Sequence, residues 1–275
     1  MTTRRPAIGV FDSGFGGLTV LKALLELIPD SDYFYFGDTA RLPYGSKSAE
    51  TVAKYAVDAT QYLQQQGAQL LVIACNTATA LALDKIEAQS GVPVVGVIEP
   101  GAETASKQSK NRKVVVIGTE ATISSHAYFR ALERREIQAK EKACPLLVPL
   151  VEEGWIDNTV TEQVARIYLS EAFSSGFENA DTLVLGCTHY PLIRPLLRKV
   201  APEHVSIVDS AQSTAHVVKD LLRSSSVSNA TEEEERRRMP RLRFFATDSA
   251  KKFRTLGARF LGREITEVQH VDLGE

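Results

Sequence analysis

At 275 residues the chain can bury a sizeable core in one or two domains. Its 44% hydrophobic and 24% charged residues and net charge of -2 give no case for nucleic-acid binding. No run approaches the roughly 18 apolar residues of a membrane span, and the start does not read as a secretory signal. Three cysteines, without close Cys or His pairs, argue against a disulfide framework or a structural zinc site and fit a reducing, cytoplasmic compartment.

Short apolar segments alternate with helical patterns along the chain. Strands are expected at Ile8–Phe11, Tyr33–Phe36, Leu70–Ala74, Val94–Val97, Val114–Ile117, Leu183–Leu185, Val205–Val208 and Leu242–Ala246. Helices are expected at Leu18–Leu27, Ala49–Gln66, Thr77–Gln89, Ser124–Glu136, Val160–Phe173, Ala211–Leu222 and Ala250–Phe260. Several strands are nearly solid Val, Ile and Leu, as when helices cover both faces of a sheet, so the alternation predicts an α/β fold with mostly parallel sheet. Glu99-Pro100-Gly101 punctuates the pattern and is read as a crossing point. The expected division is 1–98 plus 208–275 for a first domain and 99–207 for a second. Residues 224–240, rich in Ser, Glu and Arg, read as a solvated surface loop.

Polar residues cluster where the strands end. Asp12-Ser13-Gly14 with Gly16-Gly17 leads into a helix, and its glycines allow a tight turn and close approach of a ligand. Asp12 would repel a pyrophosphate and suits an amine or a catalytic thiol, although it and Ser13 also fit helix capping. Pro43-Tyr44-Gly45 can present backbone donors and a phenol to a small ligand, or form a plain surface turn. Thr119 and Thr122 fit either a side-chain carboxylate or a helix cap.

The most informative feature is a near-repeat: Leu71-Val72-Ile73-Ala74-Cys75-Asn76-Thr77 against Leu183-Val184-Leu185-Gly186-Cys187-Thr188-His189. Each cysteine is expected at the carboxyl end of a strand, where open α/β sheets bind ligands. Cys144 lacks such polar neighbours and reads as a core residue. Two facing cysteines suit inversion of a carbon that carries an acidic proton: one thiolate removes the proton while the other thiol donates to the opposite face. A free thiol pKa of about 8.5 is close enough to neutrality for this. The carboxylate beside the developing carbanion also needs fixed donors. His189 can assist the thiol beside it, with Glu153 or Glu152 to orient the ring.

On these segments, together with Gly186-Cys187-Thr188-His189-Tyr190-Pro191, the chain resembles the glutamate racemase family of cofactor-independent aspartate/glutamate racemases. The resemblance implies two similar three-layer αβα domains with the active site in the cleft between them. It also implies interconversion of L- and D-glutamate for peptidoglycan, with no cofactor and, in many members, a homodimer. By analogy Cys75 takes the proton from D-glutamate and Cys187 the one from L-glutamate, assisted by Asp12, Glu153 and His189. Ser13, Pro43, Tyr44, Gly45, Asn76, Thr77, Thr119, Thr122 and Thr188 would contact substrate together with Asp12. The rival readings are an aspartate racemase, a one-cysteine hydrolase or transferase, and a non-catalytic amino-acid-binding module.

Overall fold

The first strand, β1 (Ala7–Asp12), is buried at every position. In the computed structural model, which describes residues 6–224 and 241–274, it pairs with β2 (Asp32–Gly37) on one side and β3 (Leu70–Ile73) on the other. β4 (Val94–Gly96) lies beyond β3, and β9 (Leu242–Ala246) and β10 (Gln269–His270) lie beyond β2, in the order β10-β9-β2-β1-β3-β4. A second sheet contains β5 (Lys113–Gly118), β6 (Gln138–Ala143), β7 (Thr182–Gly186) and β8 (Ser206–Asp209), in the order β6-β5-β7-β8. Every strand pair among the described residues is parallel.

The second order repeats β2-β1-β3-β4. Both sheets therefore reverse their winding beside the first strand, and such a switch point opens a crevice at the carboxyl ends of the strands. Cys75 follows β3 and Cys187 follows β7, the equivalent strand of each sheet.

Helices cover both faces of each sheet. Ile8 and Val10 of β1 pack with Leu18 and Leu21 of α1 (Leu18–Leu27), while Phe11 packs on the other side with Val52 and Ala56 of α2 (Ala49–Gln65). α3 (Asn76–Gln89) lies beside α2, and α10 (Ser210–Ser224) and α11 (Ala250–Leu261) lie beside α1. In the second sheet, Val115 and Ile117 face Ala165 and Leu169 of α8 (Thr159–Ala172), next to α9 (Arg194–Val200). Val114 and Val116 face Ala102 of α4 (Ile98–Gln108) and Leu132 of α6 (Ala127–Glu133). α5 (Glu120–Ser124) and α7 (Leu147–Glu152) are short helices after β5 and β6. Burying each large apolar side chain contributes about 1.5–3 kcal/mol, and one cluster runs from Val10 in the first sheet to Val115 in the second.

Three features depart from the sequence-based expectation. Glu99-Pro100-Gly101 lies inside α4 rather than in a crossing loop; Pro100 falls in the first turn, where its missing N–H removes no helical bond. The helix expected over Ser124–Glu136 is interrupted at His126, whose φ of 53 is left-handed. β6 was not expected because Gln-Ala-Lys-Glu-Lys-Ala is polar; it is a sheet edge, where charge is tolerated and discourages further pairing. The strand expected at Val205–Val208 is β8, Ser206–Asp209. Most of the loop expected at 224–240 lies outside the described residues. Among the described residues no helix is long and apolar enough to cross a membrane.

Candidate active site

A cavity of about 410 Å3 opens where the carboxyl ends of the two sheets face each other, and both Cys75 and Cys187 line it. Each is 5% exposed.

Cys75 caps the N-terminus of α3: its Sγ accepts from the Ala78 N–H at 3.4 Å. The thiol lies 3.5 Å from Ser13 Oγ, to which it donates. Burial pushes Cys75 up to about 12, the Asp12 carboxylate adds to the rise, and the Ser13 and Ala78 hydrogen bonds offset part of it. Near neutral pH Cys75 is thus a thiol, a proton donor. Asp12 is fully buried, with Oδ2 accepting from Gly14 N at 2.9 Å and Oδ1 lying 3.5 Å from Thr188 Oγ1. Burial raises it above the ordinary carboxylate range, against the lowering pull of His189 and the Gly14 and Gly17 N–H groups.

On the opposite side, Cys187 Sγ lies 3.9 Å from His189 Nδ1, and His189 Nε2 lies 3.1 Å from Glu152 Oε1. The ring packs at right angles to Phe260 of α11, with centroids 5.1 Å apart. Burial alone would lower His189, but the hydrogen bonds and charges of Cys187 and Glu152 outweigh it and hold the imidazolium up at about 10. Burial would likewise raise Glu152, and the partnership with His189 keeps it below its usual range. The second cysteine therefore has beside it an imidazole that Glu152 holds in place.

The glycine turn has a different purpose from the one expected. A Cβ on Gly16 would fall 2.2 Å from Thr188 Oγ1 and 2.6 Å from His189 Nδ1, and one on Gly17 would fall 2.5 Å from Asp12 Cβ. At Gly16 the close approach is that of the second cysteine turn, not of a ligand, and at Gly17 it is that of Asp12. Thr19 Oγ1 ties the two turns together by donating to Thr188 O at 3.2 Å.

Tyr44 also differs. Its phenol, expected to face a ligand, donates to Asp38 Oδ2 at 2.5 Å, and Thr247 Oγ1 donates to Asp38 Oδ1 at 2.8 Å. The loop still lines the cavity at Pro43, Tyr44 and Gly45, and Gly45 abuts Thr119: a Cβ there would be 3.1 Å from Thr119 Cβ. The Thr77, Thr119 and Thr122 hydroxyls form a triangle of 2.9, 3.2 and 2.9 Å. Beside them the Asn76 Nδ2 is buried without a hydrogen-bond partner, a donor left for something in the cavity.

The family model for Asp/Glu/Hydantoin racemase matches residues 8–218. The chain belongs to that family. A glutamate racemase of Koribacter versatilis (strain Ellin345) is 60% identical over 290 residues, covering 100% of both chains. The solved glutamate racemase of Francisella tularensis subsp. tularensis SCHU S4, in complex with D-glutamate, superposes with a TM-score of 0.88 at 37% identity over 98% of each chain. The Escherichia coli glutamate racemase, solved with L-glutamate and the activator UDP-MurNAc-ala, gives 0.78 at 28% identity over 97% of each.

Within this racemase fold, most residues singled out in the sequence converge. Ser13, Asn76, Thr77, Thr119, Thr188 and His189 line the cavity with the two cysteines and the Pro43–Gly45 loop. Asp12 and Thr122, both fully buried, stand behind the lining and touch it through Thr188, Thr77 and Thr119. Glu153 does not join them. It is exposed, and Glu152 carries the contact to His189 because it is the last helical residue of α7 and faces inward. Pro145, Val148 and Pro149 also form part of the wall; no polar motif in the sequence marks them. Cys144 is buried, with Sγ 3.6 Å from Lys142 O, and does not line the cavity.

Proposed function

We propose that this chain interconverts L- and D-glutamate by two-base proton transfer between Cys75 and Cys187, without a cofactor. The observation that carries the reading is the approach of the two thiols to one cavity from equivalent strands of two sheets. The proposed division is 1–98 plus 208–275 and 99–207, with the cavity between these domains. The names of the relatives support glutamate as substrate, one solved with each enantiomer.

With Cys187 as thiolate and Cys75 as thiol, Cys187 takes the α-proton of L-glutamate and the electron pair passes into the α-carboxylate. Cys75 then delivers its proton to the opposite face, leaving D-glutamate, a Cys187 thiol and a Cys75 thiolate. The reverse reaction runs the same steps backwards, so no proton or electron is gained or lost. His189, oriented by Glu152, offsets negative charge at Cys187, and Asp12 and Ser13 set the environment of Cys75. Asn76 Nδ2 and the N-terminus of α3 suit the α-carboxylate, whose negative charge grows in the transition state. The threonine hydroxyls and the backbone of Tyr44 and Gly45 suit the side-chain carboxylate.

We extend the reading to D-glutamate supply for peptidoglycan in the cytoplasm, where three free cysteines persist as thiols. Homodimer formation belongs to the same reading, and sedimentation tests it.

Proton NMR of L-glutamate in D2O with purified protein, together with chiral analysis, tests the reaction. Loss of the α-proton signal and appearance of D-glutamate are expected. Cys75→Ala and Cys187→Ala should each lower racemisation by at least about 10²–10⁴-fold. Full activity in either variant, or no exchange by folded protein with intact thiols, would overturn the proposal.

A further inference from the structure

Asn76 is the first residue of α3, 3% exposed and in the cavity wall. A carboxamide presents an acceptor on one side and donors on the other, and a rotation of 180° exchanges them. What faces the cavity is therefore decided by what holds the far side. That group is the phenol of Tyr128, which donates to Asn76 Oδ1 at 2.8 Å. Taking the oxygen leaves the amide nitrogen, buried and without a partner, as the group offered to a ligand.

Tyr128 belongs to α6, on the second sheet, is fully buried, and does not line the cavity. Its ring packs in the cluster with Val114, Val116 and Val184. Gly101 and Ser210 close around its hydroxyl: a Cβ on Gly101 would lie 3.3 Å from Tyr128 Oη and 3.5 Å from Ser210 Cβ. Burial pushes the phenol well above its ordinary range, so it stays an O–H donor at any pH where the protein works.

We infer that Tyr128 is a positioning residue, which fixes the Asn76 carboxamide with its nitrogen toward the α-carboxylate of the substrate. Its bond crosses between the two sheets, so the donor is set only when their helices are docked. The inference rests on the reading of Asn76 as a carboxylate donor.

Tyr128→Phe removes one oxygen and keeps the ring, so the core remains filled. The test compares kcat and KM for both enantiomers, with thermal melts, in Tyr128→Phe, Asn76→Ala and the double variant. Tyr128→Phe should lower kcat/KM by about tenfold, the scale of one hydrogen bond to a charged group. Asn76→Ala should lower it at least as far, and the double variant should fall no lower than Asn76→Ala alone, because Tyr128 acts only through Asn76. Losses that multiply in the double variant, or kcat/KM within about twofold of the parent in Tyr128→Phe when Asn76→Ala is impaired, would overturn the role of Tyr128. An unimpaired Asn76→Ala would overturn the reading of Asn76 itself, and the inference with it.

Discussion

His189 Nε2 lies 3.1 Å from Oε1 of Glu152, and the next residue along the chain, Glu153, is exposed. Two neighbouring carboxylates of the same type thus have separate fates. Glu152→Gln removes a charge-assisted hydrogen bond and should lower kcat/KM by about tenfold or more. Glu153→Gln should leave it within about twofold. Steady-state kinetics of the two variants check this, and the opposite ranking would refute the assignment.

Stability should depend on pH through the same histidine. His189 is held up at about 10 in the folded protein, against 6.5 for an ordinary imidazole. The folded state therefore binds this proton more tightly than the unfolded state. The resulting stability is fully present below about pH 6.5 and is lost as pH rises through about 10. Melting temperatures measured across that window should show the gap between the parent protein and His189→Gln shrinking as pH rises.

Cys75 should react slowly with alkylating reagents near neutrality. Its thiol is pushed up to about 12, by burial first and by the Asp12 carboxylate second, so the thiolate fraction is small. Labelling with iodoacetamide, followed by mass spectrometry, should accelerate about tenfold per pH unit between roughly pH 7 and 10, without levelling off. A plateau near the ordinary thiol range of about 8.5 would contradict it.

Gly16→Ala puts a methyl group where Thr188 Oγ1 and His189 Nδ1 now lie. The second cysteine turn must shift, and a displacement of about 1 Å can cost about a hundredfold in rate. Circular dichroism should show the fold retained while kcat falls. Unchanged kcat would mean that the two turns tolerate separation.

Tyr44→Phe tests whether the phenol supports its loop or touches substrate. Because it donates to the buried Asp38, the variant should lose about 1–2 kcal/mol of stability by denaturant titration. KM for glutamate should stay within about threefold of the parent. A large rise in KM with unchanged stability would return the phenol to the substrate.

Much of this protein is determined by the sequence alone. Solid apolar segments such as Leu70–Ile73, short and rich in Val and Ile, read as strands between two helix layers, and the polar residues after Ile73 and Gly186 mark where those strands end at a crevice. Both cysteine turns, and most of the cavity lining, were legible for that reason. β6 was not, because an edge strand needs no apolar pattern. Tertiary structure alone decided which groups face each other across the two sheets. Glu152 and Glu153 differ by one step at the end of α7, about 100° of rotation on a helix, and only docking against His189 chooses between them. The glycines at 16 and 17 announce close approach but not what approaches, and Tyr128 meets Asn76 across many intervening residues. Local pattern sets the periodicity of each segment, whereas the partners of a buried polar atom are fixed only when the segments pack.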